Sequence, residues 1–66
     1  MKYYFHILGQ NRLKIDAAGQ VFSNRVDAAE HGQFIAKDLK NAGLKDVLII
    51  VTSDNGEILC RIDVKS

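Results

Sequence analysis

The stretch KDVLIIVTSDNGEILCRIDVKS, residues 45–66, decides the fold. It places Asn55 and Gly56 between two apolar segments, which is the strongest short-range signal of a β-hairpin. The first segment, residues 47–52, does not alternate apolar with polar residues, so we expect a strand that is covered on both faces. The second segment alternates, and its two faces are expected to carry Ile58, Cys60, Ile62 and Val64 on one side and Leu59, Arg61 and Asp63 on the other.

A first hairpin is predicted upstream. Residues 3–8 are rich in aromatic and β-branched types, which suits a strand, with Tyr3, Phe5 and Ile7 on one face and Tyr4, His6 and Leu8 on the other. A turn is expected at residues 9–11. Residues 12–16 then alternate, which predicts a half-buried strand with Leu13 and Ile15 inward. Asp16 to Gly19 is typical of a turn, since Asp can hydrogen-bond the backbone ahead of it and Gly permits a positive φ. Val21 and Phe22 follow as a short apolar anchor.

A helix is predicted from about Arg25 to Ala42. Asn24 is a good N-cap residue, and Asp27 is the third residue of the predicted helix, where a negative charge stabilises the helix N-terminus. Gly43 suits the left-handed position that follows a helix, and Leu44 could then fold back on Leu39, as in a Schellman motif. At about 100° per residue, one apolar stripe collects Ala28, Gly32, Ile35, Leu39 and Ala42.

The order ββαββ predicts an α+β fold, a single domain over residues 1–66, with one helix on one face of a four-stranded antiparallel sheet. The expected inner face carries Phe5, Ile7, Leu13, Ile15, Ile58, Cys60 and Ile62 against Ile35 and Leu39. The expected outer face carries Tyr4, His6, Leu8, Leu59 and Arg61, with either Leu48 and Ile50 or Val47, Ile49 and Val51. One helix can cover only one face, so the outer face is expected to be an uncovered apolar surface of the kind that marks an interaction site.

Composition narrows the classes of protein. A chain of 66 residues with net charge +1 lacks the basic surplus typical of nucleic-acid binding. The apolar run 47–51 is too short to span a bilayer, the N-terminus does not resemble a signal peptide, and the lone Cys60 fits a reducing compartment, so a cytoplasmic protein is expected. Such a small domain buries only about 60% of its unfolded surface. Without an internal disulfide or a metal cluster, oligomerisation is the remaining source of buried area.

Candidate chemical residues are few. His6 and His31 lack the convergent partners that a catalytic site requires, and a structural role is expected for each. For His6 this is a hydrogen bond across a subunit interface or to a neighbouring strand. For His31 it is pairing with Glu30 or Asp27, or filling the edge between helix and sheet. Cys60 is expected to be a core residue, on the opposite face from His6, which argues against a metal site formed by these three residues. Ser53 to Glu57 carry oxygen ligands but are too short for a calcium loop, and a hairpin turn explains them. Phe34 either contacts a partner or packs within the chain, against Val21 and Phe22 or against the rim of the sheet.

The chain resembles a family of short bacterial proteins, a domain of unknown function, over nearly its whole length. The resemblance is carried by YYFHI at residues 3–7, DAAG at 16–19, DAAEHGQFIAKDL at 27–39 and VTSDNGEIL at 51–59. The chain departs from the family pattern at Gly32, where a better helix former is usual, and at Lys37, where Arg is commoner. The matching positions are Tyr3, Tyr4, Phe5, His6, Asp16, Gly19, Ala36, Asp38, Leu39, Asp54 and Gly56. The resemblance implies no catalytic residue and no cofactor.

The sequence therefore predicts a non-catalytic module, not an enzyme, that forms homo-oligomers, with a dimer favoured. The predicted interface on the outer face comprises Tyr4, His6, Leu8, Leu59 and Arg61. Edge pairing through VLIIV, residues 47–51, is a variant of this hypothesis. The alternative is single-stranded nucleic-acid binding, with Tyr4 and His6 stacking on bases and phosphate contacts from Lys2, Arg12, Lys14 and Arg61.

Overall fold

The computed structural model describes residues 1–9 and 11–65, and it confirms an α+β fold with one helix packed on an open antiparallel sheet. The elements in chain order are β1 (Lys2–Gly9), β2 (Arg12–Lys14), β3 (Gln20–Val21), α1 (Arg25–Asn41), β4 (Val47–Ser53) and β5 (Ile58–Val64). The two-residue strand β3 was not predicted, and β2 is shorter than the predicted 12–16.

The sheet has the order β2-β1-β4-β5, with β3 paired to β1. Tyr3 pairs with both Gln20 and Ser53, so β3 lies on the same edge of β1 as β2 does. β4 is paired on both sides, so it is a central strand of the sheet. The predicted edge pairing through VLIIV is therefore wrong, because these residues lie in a central strand and its backbone is already paired.

Both ends of α1 follow the predicted chemistry. The Asn24 side chain accepts a hydrogen bond from the Asp27 amide at 2.9 Å, so one of the unpaired donors of the first turn is satisfied. At the other end Gly43 has φ of 85°. The Leu44 amide donates to the Leu39 carbonyl and the Gly43 amide to the Lys40 carbonyl, each at 3.0 Å. This is the predicted Schellman motif.

The core lies between α1 and one face of the sheet, called here the inner face. Its buried apolar residues are Tyr3, Phe5, Ala28, Val47, Ile49, Val51, Ile62 and Val64. Ile7, Ile35, Leu39 and Cys60, all predicted for this face, are partly buried against it. Gly32 allows α1 to lie close to the sheet, because a Cβ atom there would lie 2.9 Å from Ile62 Cδ1 and 3.2 Å from Val51 Cγ2.

Two predicted core residues, Leu13 and Ile15, are exposed instead. The register pairs Leu13 with Leu8, and directly opposed residues share a face, so Leu13 lies on the outer face and is 69% exposed. Ile15 lies outside the strands and is also exposed. The alternation correctly separated Leu13 from Arg12 and Lys14 on the two faces of β2, but alternation alone does not identify the face that meets the helix.

The second hairpin contains an irregularity that sequence alternation did not reveal. Val51 pairs with Cys60, whereas Thr52 pairs with Ile58, so Leu59 is the extra residue of a β-bulge. Leu59 packs against the core, and Ile58 is about half exposed. The predictions of Leu59 on the outer face and of Ile58 in the core are therefore both wrong, because the bulge reverses the alternation at this point.

We expect Gly32→Ala to lower the free energy of unfolding by about 1 kcal/mol, since overpacking a core costs about 1–3 kcal/mol and outweighs the gain of about 1 kcal/mol in helix propensity. Val51 is fully buried and β-branched, so it has little freedom to move away. Denaturant unfolding measures the change. Gln33→Ala, at the exposed neighbouring position, is the control and should change stability by less than about 0.5 kcal/mol. A net stabilisation by Gly32→Ala would contradict the close helix–sheet contact.

Candidate functional site

The face of the sheet opposite α1, the outer face, carries a continuous apolar surface. Leu8 pairs with Leu13 on one side and with Leu48 on the other, so three leucines form a row across three strands. Ile50 follows Leu48 on the same face of β4, two residues along the strand. We call Leu8, Leu13, Leu48 and Ile50 the outer patch. Leu48 and Ile50 are the pair that the structure selects from the two predicted alternatives for β4, and both are half-buried.

Tyr4 lies on the outer face, as predicted, but its own chain covers part of its ring. A Cβ atom at Gly19 would lie 2.8 Å from Tyr4 Cε2 and 2.9 Å from Lys2 Cγ. Gly19 also has φ of 72°, a conformation that L side chains rarely adopt. The turn at residues 16–19 therefore packs over Tyr4, and the centre of the uncovered apolar area lies at Leu8 and Leu48.

His6, also predicted for the outer face, is held through both ring nitrogens. Its Nδ1 accepts a hydrogen bond from the Asp16 amide at 3.1 Å, and its Nε2 lies 3.2 Å from Thr52 Oγ1. Because a backbone amide can only donate, Nδ1 is the acceptor of this bond, and Nε2 is left to bond Thr52. This is the structural role expected of His6, a hydrogen bond to a neighbouring strand.

The carboxylate of Asp16 organises the edge beside His6. One oxygen, Oδ1, accepts from the Gly19 and Ala18 amides at 3.0 and 3.2 Å, and Oδ2 accepts from the Phe5 amide at 3.1 Å. The hydrogen bond from Gly19 is the largest cause of a pKa of the Asp16 carboxyl below its ordinary value of 3.8. Burial opposes this effect, and the hydrogen bonds from Phe5 and Ala18 and the nearby His6 ring add to the lowering. The hydrogen bonds from Asp16 to the turn amides were predictable from the sequence of residues 16–19, whereas the hydrogen bond from Phe5 in β1 was not.

The five predicted interface residues do not all lie together. Tyr4, His6 and Leu8 alternate along β1 on the outer face, and Arg61 joins them through its pairing with Ile50, itself paired with His6. Leu59 lies on the helix side against the core. Leu13, Leu48 and Ile50 are the outer-face residues that complete the surface, and the register of the first hairpin was the missing information for Leu13.

His31 and Cys60 have the expected structural surroundings. The His31 ring packs against Phe5 and Phe22, with centroid distances of 5.1 and 5.4 Å, so it fills the edge between helix and sheet. Cys60 is half-buried against the core, and burial raises the pKa of its thiol, which disfavours the reactive thiolate. Phe34 is 60% exposed on α1.

The segment Ser53 to Glu57 is a hairpin turn, as predicted. The Gly56 amide donates to the Ser53 carbonyl at 3.1 Å, and Gly56 has φ of 88°. The side chains of Ser53, Asn55 and Glu57 hydrogen-bond within the turn. Within residues 1–9 and 11–65, no three His, Cys, Asp or Glu side chains come together as metal ligands.

A cleft of about 390 Å³ lies between this turn and the start of α1, with Tyr3 in its wall. Four of the side chains that line it have partners within the chain. The Asn24 oxygen caps the helix, Ser53 and Glu57 are bonded within the turn, and the Tyr3 hydroxyl donates to Met1 Sδ at 3.7 Å. Ser23, Arg25 and Asp54 also line the cleft.

Comparison with protein-family models, with curated proteins and with solved structures finds no match for this chain. The resemblance to short bacterial proteins therefore stays a prediction. In the part of the chain that the structure describes, no helix has both the length and the apolar character that crossing a membrane requires.

We expect Asp16→Asn to lower the free energy of unfolding by about 1–2 kcal/mol at neutral pH, since one amide oxygen cannot replace two carboxylate oxygens that accept three backbone hydrogen bonds. Folding lowers the pKa of this carboxyl, so its stabilisation is present above the ordinary pKa and is lost as the pH falls below it. The difference between the two proteins should therefore shrink toward zero in acid.

Urea unfolding across a pH series measures this difference. Asp54→Asn, a change of the same chemistry in the exposed hairpin turn, is the matched control and should have little effect at any pH. Equal stability of Asp16→Asn and the unmodified protein at neutral pH would contradict the role given to the Asp16 carboxylate.

Proposed function

We propose that this domain is a non-catalytic interaction module that self-associates through the outer patch. The observation that carries the proposal is the row of Leu13, Leu8 and Leu48 on the face opposite α1. Leu13 is 69% exposed, and its neighbours in the row are only half-buried. An apolar surface spanning three strands is costly to leave in water, at roughly 25 cal/mol per Å².

A second copy of the chain is the partner that fits this surface best. A two-fold axis brings the same patch of both copies together, so an apolar row meets an apolar row without any further matching. The net charge of +1 gives two copies little mutual repulsion, and proteins near zero net charge associate more readily. Self-association also adds buried area to a domain whose own core is small.

Two features support a non-catalytic, cytoplasmic role. The histidine closest to the patch, His6, has both ring nitrogens engaged within the chain, so it is not free to move a proton for a substrate. The unpaired, half-buried Cys60 suits a reducing compartment such as the cytoplasm.

One observation favours a second function, the binding of single-stranded nucleic acid. The rings of Tyr4 and His6 lie side by side on the outer face, 6.4 Å apart and within 2° of parallel, as in a platform on which bases stack. The contact of Tyr4 with Gly19 covers part of this platform, so we rank this function below self-association. Salt-sensitive binding of a short oligonucleotide that is lost in Arg61→Ala would favour it.

The test of self-association is Leu8→Lys, which places a charge at the centre of the outer patch. Burying an unpaired ammonium group in an apolar interface is strongly unfavourable, so we expect the variant to sediment as a monomer at concentrations where the unmodified protein is a dimer. Sedimentation velocity over a concentration series measures the difference.

Val26→Lys is the matched control. It replaces another apolar residue with lysine, at a position on α1 that is 61% exposed and outside the outer patch, and it should leave the dimer intact. Circular dichroism establishes that both variants are folded. A monomeric unmodified protein at every concentration, or a folded Leu8→Lys variant that associates normally, would contradict the proposed function.

A further inference from the structure

The two edges of the sheet differ in how the chain protects them. At the first edge, β1 is covered by β2 and β3, and the Phe5 amide between them donates to Asp16. At the other edge, β5 pairs with β4 and with no other strand of residues 1–9 and 11–65, so half of its backbone donors and acceptors face outward. An uncovered edge strand is a template for pairing with another chain.

We propose that β5 pairs antiparallel with β5 of a second copy, about a two-fold axis at Ile62, to form one sheet continuous across both copies. This interface is separate from the outer patch and goes beyond the proposed function. The regular part of β5 runs from Cys60 to Val64, beyond the bulge at Leu59, and Ile62 is its midpoint. The axis at Ile62 therefore pairs every residue of this run.

The charges on β5 select this register. Arg61 and Asp63 lie on the outer face, opposite Ile50 and Leu48 of β4, so neither has a charged residue directly across from it within the chain. With the axis at Ile62, each Arg61 lies opposite the partner's Asp63, and opposite charges in this position attract.

The two neighbouring registers are unfavourable. An axis at Arg61 would oppose two arginines, and an axis at Asp63 would oppose two aspartates and bring Arg61 opposite the partner's Lys65. If one β5 strand slid by a single residue relative to the other, outer-face residues would lie opposite inner-face residues, which the pleat of the sheet forbids. Of these registers, the one centred on Ile62 matches both charge and face.

The inner side of the pair is also compatible. At this axis Ile62 meets the partner's Ile62, and Cys60 meets the partner's Val64, so the residues on the helix side are all apolar. A groove runs along this edge between α1 and β5, with Gln33, Ala36, Lys37 and Lys40 on its helix side and residues 62–65 on its strand side. The lysines have long, flexible side chains, so their charged ends can turn toward solvent when the strand of a second copy pairs here.

The test is a charge-reversal cycle in the Leu8→Lys background, in which association through the outer patch is removed. It is carried out at concentrations above those at which this variant sediments as a monomer, since edge pairing alone is expected to be the weaker association. Arg61→Glu opposes Glu and Asp, and Asp63→Arg opposes two arginines, so each single variant should weaken dimerisation roughly tenfold or more. The double variant Arg61→Glu with Asp63→Arg restores two opposite pairs and should recover the affinity. Sedimentation equilibrium gives the dissociation constants, and the double variant controls for damage to the fold.

Amide hydrogen exchange supplies a second readout that is specific to strand pairing. Successive amides of a strand point to opposite sides, so in the monomer the β5 amides facing β4 are protected and the alternate ones are not. In the Leu8→Lys background, the alternate amides should become protected as the concentration rises, and in Arg61→Glu this protection should need higher concentrations. The β4-facing amides are an internal control, since their protection should not change.

The outcomes separate the two interfaces. Concentration-dependent protection of alternate β5 amides together with rescue by the double variant supports the edge pairing. Unprotected alternate amides at every concentration would overturn it, even if the unmodified protein dimerises through the outer patch. Protection that is unchanged by Arg61→Glu would overturn the register centred on Ile62.

Discussion

The packing of α1 against one side of the sheet determines the environment of every strand residue. Gly32 brings the helix so close that Ile62 and Val51 fill the space a side chain would need. On β4 the consequence is a strict division, with Ile49 and Val51 fully buried under the helix and Leu48 and Ile50 half-buried on the other side. A sequence with apolar residues on both sides of its central strand, but with one helix, leaves one apolar side for another molecule.

The edge of β1 between β2 and β3 is covered by a side chain of the same chain. Asp16 accepts hydrogen bonds from Phe5, Ala18 and Gly19, so a single carboxylate replaces the missing strand between β2 and β3 and fixes the turn that packs on Tyr4. No comparable device covers β5 in the described residues. Arg61 and Asp63 of this edge lie opposite Ile50 and Leu48 of the outer patch, so the β5 edge borders the patch.

Local signals in the sequence were sufficient for the helix and for its ends. Asn24, Gly43 and Leu44 act through neighbours three to five residues away, so their roles can be derived without knowing the tertiary structure. The second hairpin was equally predictable, because Asn55 and Gly56 determine a turn locally. The lack of alternation in β4 indicated apolar residues on both of its faces, but it did not give the central place of this strand in the sheet.

The incorrect predictions share a cause, which is that strand faces depend on register. Leu13 was placed inward because alternation groups the residues of a strand by face but does not identify the face that meets the helix. The pairing of Leu13 with Leu8 decides this, and it is set by the first hairpin rather than by β2 itself. Leu59 was placed outward because a bulge reverses the alternation, and the sequence around it carries no glycine to signal one. For the candidate site, Leu8, His6 and Arg61 were assigned correctly, whereas Leu13 required the observed register.

The central claim is that the outer patch is open in the monomer and is covered when copies meet. Methyl NMR with a soluble paramagnetic probe tests it most directly, since the probe broadens signals from methyl groups that it can reach. At low concentration the methyls of Leu13 should be broadened like those of Val26, and those of Leu8, Leu48 and Ile50 more than those of Ile49 and Val51. At high concentration the outer-patch methyls should become protected while Val26 remains broadened. Outer-patch methyls whose broadening does not change with concentration, or that are as protected as Ile49 and Val51 even at high dilution, would contradict the account.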